Sequence, residues 1–516
     1  MKFTRIKRSR LMNCNRYIVV VIMGVIALSG CNSFLNQKPQ DFVSSSTFYK
    51  NKNQIDEALN GAYNGFQTLY GTGTAFWAMA EERSDNTTFE YNVADRGALQ
   101  REEIDYFMVT TDNNYIRDVW SSIYNTVEQC NTILDQVSNV KMASSDKNQI
   151  IGQAEFIRAL CYFNLVRLWG NVPLITKAIT SPDQTSTIKQ ATPSQVYAQI
   201  IKDAKDAASK LPATWSSDQV GRVTQGAAYT LLGDVYMTMG QPGNDGNYNN
   251  AISYFNKVIQ SGDYSLMPDY AQLWDPANKN NSESIFEIQF NAGIQGEWSD
   301  YIDSFIPIGS GTTTAGYPVY EGTSGRNIPT RDMINSYEKG DMRKNASIAW
   351  YVNPDNTKYA EAQHDSIPWC NKYSAKPAIQ NEQNVDFYVY RYAQVLLWQA
   401  EALNEVGKTS QAYPYINKVR ERAGLNDLAA GLSQTQFRTA VYHEERVESV
   451  FEDHRWFQLL RTGKAISVMA KNGSEQKTYQ TWLPAGSYDV TKDKLLYPIP
   501  IHDVQLNKNL TQNPGW

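Results

Sequence analysis

Three acidic residues near the beginning of the chain, Glu81, Glu82 and Asp85, are close enough in sequence to supply paired carboxylates. Such a pair performs glycoside hydrolysis, in which one carboxyl group protonates the leaving oxygen and the other acts as base or nucleophile. Proximity is a weak signal here, because Asp and Glu together number 53. The chain also contains no G-x-S-x-G, H-E-x-x-H or phosphate-binding G-x-x-x-x-G-K-S/T motif. We therefore predict that the chain is not an enzyme.

A second group of ionisable residues lies within 444–463, near the end of the chain. Acids and bases alternate there at helical spacings, which brings opposite charges together on one helix face. We predict one charged helix over this range and a structural ion network. Its members are Glu444, Glu445, Glu448, Asp453, His454, Arg446 and Arg455. The histidines of the chain show no metal-ligand spacing, so no metal or other cofactor is predicted.

Aromatic side chains offer a different chemistry, the binding of sugars. A pyranose ring has an apolar C–H face and a fringe of hydroxyl groups, so its site needs exposed rings beside amide or charged groups. Aromatic residues make up 12% of the chain, and tyrosine outnumbers phenylalanine 32 to 18. Tyrosine and tryptophan can present a ring face to a ligand while their polar edge stays hydrated. The composition therefore suits a carbohydrate-binding surface.

The elements that would position such side chains are mainly helices arranged in hairpins. Apolar residues recur at helical spacing on both sides of Gly407 within 386–424, which predicts two antiparallel helices joined at a left-handed glycine. The same spacing recurs within 193–261, where the small residue Gly233 would let two helices approach. This doubled pattern is typical of tetratricopeptide hairpins, although any two antiparallel helices share part of it. A further hairpin is predicted at about 115–170.

The chain between about 262 and 385 has a different character. Helical periodicity fades, and residues 284–290 alternate between apolar and polar side chains as in a short strand. A structureless loop of this length is uncommon, so we expect short strands and small helices packed on the helical scaffold. Loops held by a rigid scaffold commonly carry binding residues, which makes this the predicted ligand-binding region.

The first 30 residues have the pattern of a secretory signal. Six basic residues and no acid accompany an apolar run at 17–28 that is too short to span a bilayer. The run ends in Leu-Ser-Gly-Cys at Cys31, which resembles the lipobox of bacterial lipoproteins, where the cysteine becomes the lipidated N-terminus. An ordinary signal with an incidental cysteine is the alternative. We predict a removed signal peptide at 1–30, a lipidated tether at 31–45 and a single domain at 46–516.

The mature chain would be strongly acidic. Removal of the signal leaves 42 Lys and Arg against 53 Asp and Glu, a formal net charge of −11. A surface of this charge disfavours nucleic acid as a partner. We interpret Cys130, Cys161 and Cys370 as small buried hydrophobic residues, since no C-x-x-C is present. A disulfide between one pair of them is the alternative in an oxidising compartment.

Several stretches occur in the order found in one family of proteins. They are QAEFIRALCYFNLVRLWGNVP at 153–173, RYAQVLLWQAEALN at 391–404, YINKVRERA at 415–423, EERVESVFEDHRWFQLLRTG at 444–463, and PIP at 498–500 with TQNPGW at 511–516. Over essentially all of the mature chain, the sequence resembles the SusD-like (RagB/SusD) nutrient-binding outer-membrane lipoproteins. This resemblance implies a mainly α, SusD-like fold, in which tetratricopeptide-like hairpins form a scaffold and a loop-rich half carries the ligand site.

The same resemblance implies a function and a partner. It implies a lipoprotein that captures oligosaccharide by aromatic stacking and delivers it to a SusC-like TonB-dependent β-barrel transporter. It also implies attachment to the outer membrane through lipid on Cys31, with the protein facing the cell exterior. A non-catalytic protein of the same transporter complex that binds peptides or glycoprotein fragments, or that serves as a scaffold, is the alternative.

Binding sites in the family lie on the loop after the first helical segment and in the loop-rich half. These locations give the candidate ligand-binding residues Trp298, Tyr301, Tyr317, Tyr320, Trp77, Asn86, Phe89 and Tyr91. Trp298 is the leading candidate, because it lies in a polar, glycine-containing loop directly after the predicted strand. A tryptophan packed in the core is the alternative there, and the apolar neighbours of Trp77 favour a core position for that ring.

Overall fold

The helices predicted from apolar spacing are present in the computed structural model of the chain. The structure describes residues 48–91, 99–240, 245–311, 314, 316, 324–352 and 366–516. The predicted signal peptide, the lipidation residue Cys31 and the tether lie outside these ranges. Tyr317 and Tyr320 also lie outside them.

Helices account for most of the described chain and are numbered in chain order. They are α1 (Lys52–Tyr70), α2 (Leu99–Asp105), α3 (Asn114–Gln136), α4 (Ser144–Trp169), α5 (Pro182–Thr185), α6 (Pro193–Lys210), α7 (Gln225–Thr238), α8 (Asp245–Ser261), α9 (Tyr301–Phe305), α10 (Arg331–Asn335), α11 (Arg343–Ser347), α12 (Tyr392–Glu405), α13 (Thr409–Arg422), α14 (Gln434–Glu448), α15 (Arg455–Arg461), α16 (Ala465–Tyr479) and α17 (Ile501–Leu506). A π-helical turn spans Ala78–Glu82, and 3₁₀ turns span Val137–Asn139, Tyr270–Trp274, Pro276–Asn278 and Asp493–Leu495.

Several of these helices begin and end where local chemistry dictates. The Asn113 side chain accepts hydrogen bonds from the first backbone N–H groups of α3, and Thr192 forms a capping box with Gln195 at the start of α6. Between α12 and α13, Gly407 has a φ of 74°, a left-handed value that glycine adopts without strain. The predicted left-handed glycine at this hairpin is confirmed.

The long helices stack in series to form the scaffold. α1 and α3 pack on α4, which is followed in turn by α6, α7, α8 and α12, and α12 contacts both α13 and α14. In α7, a Cβ atom placed on Gly233 would lie 2.2 Å from Cε1 of Phe255 in α8. The two helices therefore approach closely at Gly233, as predicted for a small residue at this position. The mainly α fold with tetratricopeptide-like hairpins is confirmed.

The strands are short and form antiparallel pairs. They are β1 (Thr87–Thr88), β2 (Val172–Pro173), β3 (Gln190–Ala191), β4 (Ser284–Ile288), β5 (Ile328–Pro329), β6 (Ile348–Val352), β7 (Ser366–Cys370) and β8 (Phe387–Arg391). β1 pairs with β5, β2 with β3, β4 with β8, and β6 with β7. Because β8 leads directly into α12, its pairing with β4 attaches the loop-rich region to the scaffold.

The single helix predicted for residues 444–463 is wrong. α14 ends at Glu448 and α15 begins only at Arg455. Between them, Phe451 and Asp453 have φ values of 66° and 60°, which no helix accommodates. The break leaves the main-chain carbonyl of Glu448 without the partner that a continuing helix would supply.

Buried side chains donate hydrogen bonds to that carbonyl instead. Arg391 Nη2, Lys372 Nζ and Tyr270 Oη donate to Glu448 O at 2.9, 3.2 and 2.7 Å. The Glu448 carboxylate also receives the guanidinium of Arg343, with Nη1 3.0 Å from Oε2. The predicted ion network exists, but it is buried in the core and reaches residues far from 444–463 in sequence.

Two of its predicted members do not belong to the network. Asp453 is buried and His454 is half-buried, and neither forms an ion pair with any residue that the structure describes. Burial, aided by the nearby Glu81 carboxylate, raises the pKa of Asp453 well above its usual range. Burial lowers the pKa of His454 to about 3. The His454 side chain is therefore uncharged at neutral pH.

The remaining core is apolar and contains the cysteines. Cys130, Cys161 and Cys370 are buried and unbridged within the described ranges, as predicted. Asn51–Trp516 forms one compact unit. Across the part of the chain that the structure describes, no helix has both the length and the apolar character needed to cross a membrane.

Candidate functional site

Trp298 lies in a loop after β4 that several main-chain hydrogen bonds hold in place. Asn291 N donates to Glu297 O at 2.6 Å across the base of the loop. Directly after the tryptophan, Ser299 and Gln383 exchange two main-chain hydrogen bonds of 3.0 and 2.7 Å. The Trp298 side chain is half-buried, so part of its ring faces solvent. These hydrogen bonds therefore fix the position of the loop that carries the partly accessible indole.

Exposed apolar side chains adjoin this loop. Ile294, within the loop, is 46% exposed, and Ile379, in the turn before Gln383, is 48% exposed. The loop and the turn are joined by a hydrogen bond of 2.8 Å from Gly293 N to Glu382 Oε2. Large exposed aliphatic residues cost free energy in water unless a ligand or partner covers them. The two exposed isoleucines, Ile294 and Ile379, therefore mark this surface as a candidate contact site.

An exposed lysine, Lys376, lies three residues before Ile379 in the sequence. A Cβ atom placed on Gly316 would lie 3.6 Å from Lys376 Nζ, so the chain just before Tyr317 runs past this ammonium group. We refer to Trp298, Ile294, Ile379, Lys376 and Glu382 together as the Trp298 surface. It combines an indole, aliphatic groups and both signs of charge.

Tyr91 forms a second aromatic feature with a residue that the sequence did not single out. Its ring stacks on Trp482 with the centroids 4.6 Å apart and the planes at 18°, and both side chains are half-buried. The preceding residue, Glu90, donates its N–H to Gly325 O at 2.7 Å and accepts from Ile308 N at 2.9 Å. Burial raises the pKa of Glu90 to about 7. The residue before Tyr91 is thus bonded to Ile308 and Gly325, which lie before and after the segment that carries Tyr317 and Tyr320.

Tyr301 is not the exposed platform that the sequence predicted. It is 1% exposed, its hydroxyl donates to Tyr70 O at 2.8 Å, and its ring lies 4.6 Å from that of Tyr373. The reason is the helical turn α9, which begins at Tyr301 and directs this ring into the core three residues after Trp298.

Trp77 and Phe89 are also core residues. Trp77 is 2% exposed and meets Phe305 edge to face, with the guanidinium carbon of Arg326 5.9 Å from its ring. Phe89 is 4% exposed and packs near Tyr106. The expectation that Trp77 suits the core is confirmed. Protein atoms cover both rings in this structure, so their role as ligand platforms stays a prediction that the exposure of the rings does not support.

Asn86 is a structural connector rather than a solvent-facing amide. Its Nδ2 donates to Glu81 Oε1 and its Oδ1 accepts from Arg446 Nε, each at 2.8 Å. The side chain is 1% exposed, because the pairing of β1 with β5 covers this part of the chain. Asn86 is therefore buried in this structure, and its predicted contact with ligand stays a prediction.

The acids considered for glycoside hydrolysis are buried as well. Asp85 accepts from Arg455 Nε and Nη2 at 2.8 and 2.9 Å. Burial alone would raise the pKa of Asp85, but the guanidinium groups of Arg455 and Arg446 hold it well below its usual range. Burial raises the pKa of Glu81 to about 7. All three carboxyl groups are therefore held in the protein interior.

Some residues of the candidate site were missed from the sequence. Trp482 lies in a Gly- and Pro-containing loop, TWLPAG, which is the same signal that singled out Trp298. Ile379 and Lys376 carried no signal, because the approach of their segment to the Trp298 loop depends on the pairing of Ser299 with Gln383, far apart in sequence.

Two protein-family models match different parts of the chain. The model described as "SusD family" matches residues 342–516, and the model described as "Starch-binding associating with outer membrane" matches residues 33–237. Relatives align over much longer stretches. SusD-like protein P2 of Formosa agariphila is 28% identical over 533 residues, covering 97% of this chain and 100% of the relative. Starch-binding protein SusD of Bacteroides thetaiotaomicron is 22% identical over 450 residues, covering 76% of each.

Solved structures share the fold. A laminarin-binding SusD-like protein is 26% identical with a TM-score of 0.74, covering 91% of this chain and 100% of that one. A SusD homologue from Bacteroides thetaiotaomicron is 25% identical with a TM-score of 0.77, covering 93% and 99%. Sequence and fold therefore point to the same set of proteins.

Proposed function

Because the chain belongs to the SusD-like (RagB/SusD) family, we propose that it is a glycan-binding protein whose ligand stacks on Trp298. The observation that carries this proposal is the Trp298 surface. Its accessible indole and two exposed isoleucines match the apolar face of a pyranose ring. Lys376 and Glu382 at the edge supply a donor and an acceptor for hydroxyl groups.

The relatives suggest which glycans to try first. One similar structure is that of a laminarin-binding protein, and one relative is a starch-binding protein. Both polymers are chains of glucose that differ in linkage, so they present the same ring face with different chain curvature. Laminarin and starch are therefore the first probes for this protein.

The proposal extends to location and partner. We propose that lipid on Cys31 anchors the protein to the outer membrane, facing the cell exterior, and that it delivers oligosaccharide to a SusC-like TonB-dependent transporter. The lipobox-like sequence before Cys31 and the family resemblance support this. The burial of Glu81, Glu82 and Asp85 supports binding without hydrolysis.

A second candidate function is peptide binding in the same transporter complex. The exposed side chains of Ile294 and Ile379 favour it, because aliphatic groups cover apolar peptide side chains as readily as sugar rings. A scaffold role within the complex belongs to the same alternative. Removal of the Trp298 indole distinguishes the two functions, because only the glycan-binding function requires this ring for glycan affinity.

Affinity gel electrophoresis and calorimetry on the mature chain test the proposal. Trp298→Ala should weaken glycan binding at least about tenfold, since it removes the stacking ring, while the melting temperature stays near wild type. Trp350→Ala is the matched control, because Trp350 is 52% exposed on β6 and lies outside the Trp298 surface. Unchanged glycan affinity in Trp298→Ala would refute the site. Binding of peptides but of no glycan would favour the second function.

A further inference from the structure

Two neighbouring clefts lie against β4 and share part of their lining. Their volumes are about 270 and 310 Å³, and the segment 220–222 and Glu287 line both of them. The first cleft also contains Trp215, Tyr264 and the amides of Asn280 and Asn281. The second also contains the polar side chains of Asn60, Asn64, Gln67 and Gln289. Neither cleft contains a residue predicted from the sequence to bind ligand.

The two clefts meet at Gly221, which has no side chain. Gly221 has a φ of 88°, and a Cβ atom placed on it would lie 2.7 Å from Cγ of Gln289. The backbone therefore rests directly on the glutamine at a position that only glycine tolerates. Beside it, Val220 is 57% exposed. A ligand that fills one cleft can pass over this low ridge into the other.

Hydrogen bonds to neighbouring side chains hold two of the amides that line the clefts, Asn280 and Gln289, in fixed orientations. Asn280 Nδ2 donates to Gln289 Oε1 at 2.7 Å, and Gln289 Nε2 donates to Glu287 Oε1 at 3.4 Å. Asn280 N also donates to the Glu287 carboxyl group. Burial, together with the Asp386 carboxylate, raises the pKa of Glu287 to about 8. The Nδ2 group of Asn280 has a second N–H beyond its bond to Gln289, which leaves hydrogen-bonding capacity for a ligand.

The aromatic residues of the first cleft use their polar atoms within the protein. Trp215 Nε1 donates to Val223 O at 2.8 Å, and Tyr264 Oη lies 3.0 Å from Thr224 Oγ1. What these rings present to the cleft is therefore carbon surface. An apolar ring beside fixed amides is the combination that a sugar requires.

The second cleft adjoins the Trp298 surface. Glu297, which lines this cleft, is the residue directly before Trp298. The guanidinium of Arg222 is engaged by Asn60 Oδ1 at 3.0 Å and by Gln153 Oε1 at 3.1 Å. No ammonium group lines either cleft among the residues that the structure describes. The side chains of Asp263, Asp218 and Glu297 add carboxyl groups to the lining. This lining disfavours an anionic ligand and is compatible with an uncharged one.

We infer that the two clefts form an extended subsite for an uncharged polyhydroxylated chain, namely the continuation of the glycan that stacks on Trp298. This inference rests on the proposed function and assigns the distal sugar units of the same ligand. A short oligosaccharide would occupy the Trp298 surface alone. A long one would also fill the clefts and bind more tightly.

Val220→Asp tests the subsite, because it places a hydrated charge on the ridge that both clefts share. Calorimetry on the full mature chain would compare a trisaccharide with a long oligosaccharide of the polymer that retards the wild type, chosen from laminarin, starch and other plant, host and microbial polysaccharides. Affinity for the long chain should fall about fivefold, as expected for the loss of one or two ligand contacts, and affinity for the trisaccharide should not change. Val352→Asp is the matched control, because Val352 is 67% exposed and lines neither cleft.

The outcomes separate this inference from the proposed function. Equal long-chain affinity in Val220→Asp and wild type would overturn the subsite, while a loss in Trp298→Ala would still support glycan binding. An equal loss at both chain lengths would overturn it too, because the clefts would then not be distal. If the wild type binds none of the polysaccharides, both the proposed function and the subsite fail. A melting temperature near wild type for both valine variants checks that each is folded.

Discussion

The guanidinium of Arg391 and the carboxylate of Glu448 form an ion pair in the interior, with Nη1 2.7 Å from Oε1 and neither side chain exposed. Arg391 also contacts Glu283 through Nη1 and Glu452 through Nε, each at 2.7 Å. Glu283 directly precedes β4, Arg391 ends β8, and Glu448 ends α14. The network therefore joins the strand after which the Trp298 loop begins to the helical scaffold.

Arg391→Met should destabilise the protein strongly. Removing one partner of a buried ion pair leaves the other charge uncompensated, which costs about 3–5 kcal/mol, and here three carboxylates lose a partner. Urea unfolding measures the loss. Arg117→Met is the control, because Arg117 pairs with Asp118 at 3.1 Å while both are about half exposed, and such pairs contribute at most about 1 kcal/mol. Equal losses in the two variants would contradict the assigned role of the network.

Acid should destabilise the protein, because the carboxylate of Glu448 in the same network becomes protonated on unfolding. Burial alone would raise the pKa of Glu448, but Arg422, Arg391 and Arg343 hold it far below its usual range. The unfolded state therefore takes up protons as the pH falls through about 4.5, whereas the folded state resists them. The contribution of Glu448 to the free energy of unfolding is therefore present above about pH 4.5 and is lost as the pH falls below it. Thermal unfolding between pH 3 and 6 should show this decline, and Glu448→Gln should reduce it; an unchanged slope would refute the assignment.

Glu287 should have the opposite effect on pH dependence. Burial, with Asp386, raises its pKa to about 8, so the folded state retains a proton that the unfolded state loses at about pH 4.5. The contribution to stability is complete below pH 4.5 and declines as the pH rises to about 8. Glu287→Gln cannot lose this proton, so its unfolding free energy should fall less between pH 5 and 8. The exposed Glu57→Gln is the control and should match the wild-type slope.

Gly233→Ala should destabilise the helical scaffold. The added Cβ atom would lie 2.2 Å from the Phe255 ring, and such overpacking costs about 1–3 kcal/mol. Gly61→Ala in α1 is the matched control, because a Cβ atom there meets nothing within 4 Å. That change should instead stabilise the helix by up to about 1 kcal/mol. Urea unfolding of both variants checks the opposite signs, and stabilisation in both would show that α7 and α8 can move apart freely.

Tyr91→Ala should weaken glycan binding if the ligand reaches the Tyr91–Trp482 stack. We expect a loss of about threefold to tenfold, which is typical of one aromatic contact, measured by calorimetry with the glycan that retards the wild type. Tyr415→Ala, a half-buried tyrosine of α13, is the control for the loss of a ring elsewhere. Wild-type affinity in Tyr91→Ala would confine the site to the Trp298 surface.

Much of the fold follows from local sequence. Helical spacing of apolar residues around Gly407 and Gly233 predicted hairpins that the structure contains, because each helix must bury one stripe of side chains. The strand at 284–290 was recognisable from its alternation. The break after Glu448 was not recognisable, because the donors that replace its helical hydrogen bonds come from Lys372 and Arg391, distant in the chain.

The candidate site shows the same division. The sequence by itself determined that Trp298 lies in a loop after a strand, because glycine and polar residues end the alternation there. Only the tertiary structure decided that Trp298 stays accessible while Tyr301, three residues later, is buried. That outcome depends on the pairing of Ser299 with Gln383 and on the turn that follows it. Exposure is a property of what packs over a side chain, and the packing partners here are separated by long stretches of sequence.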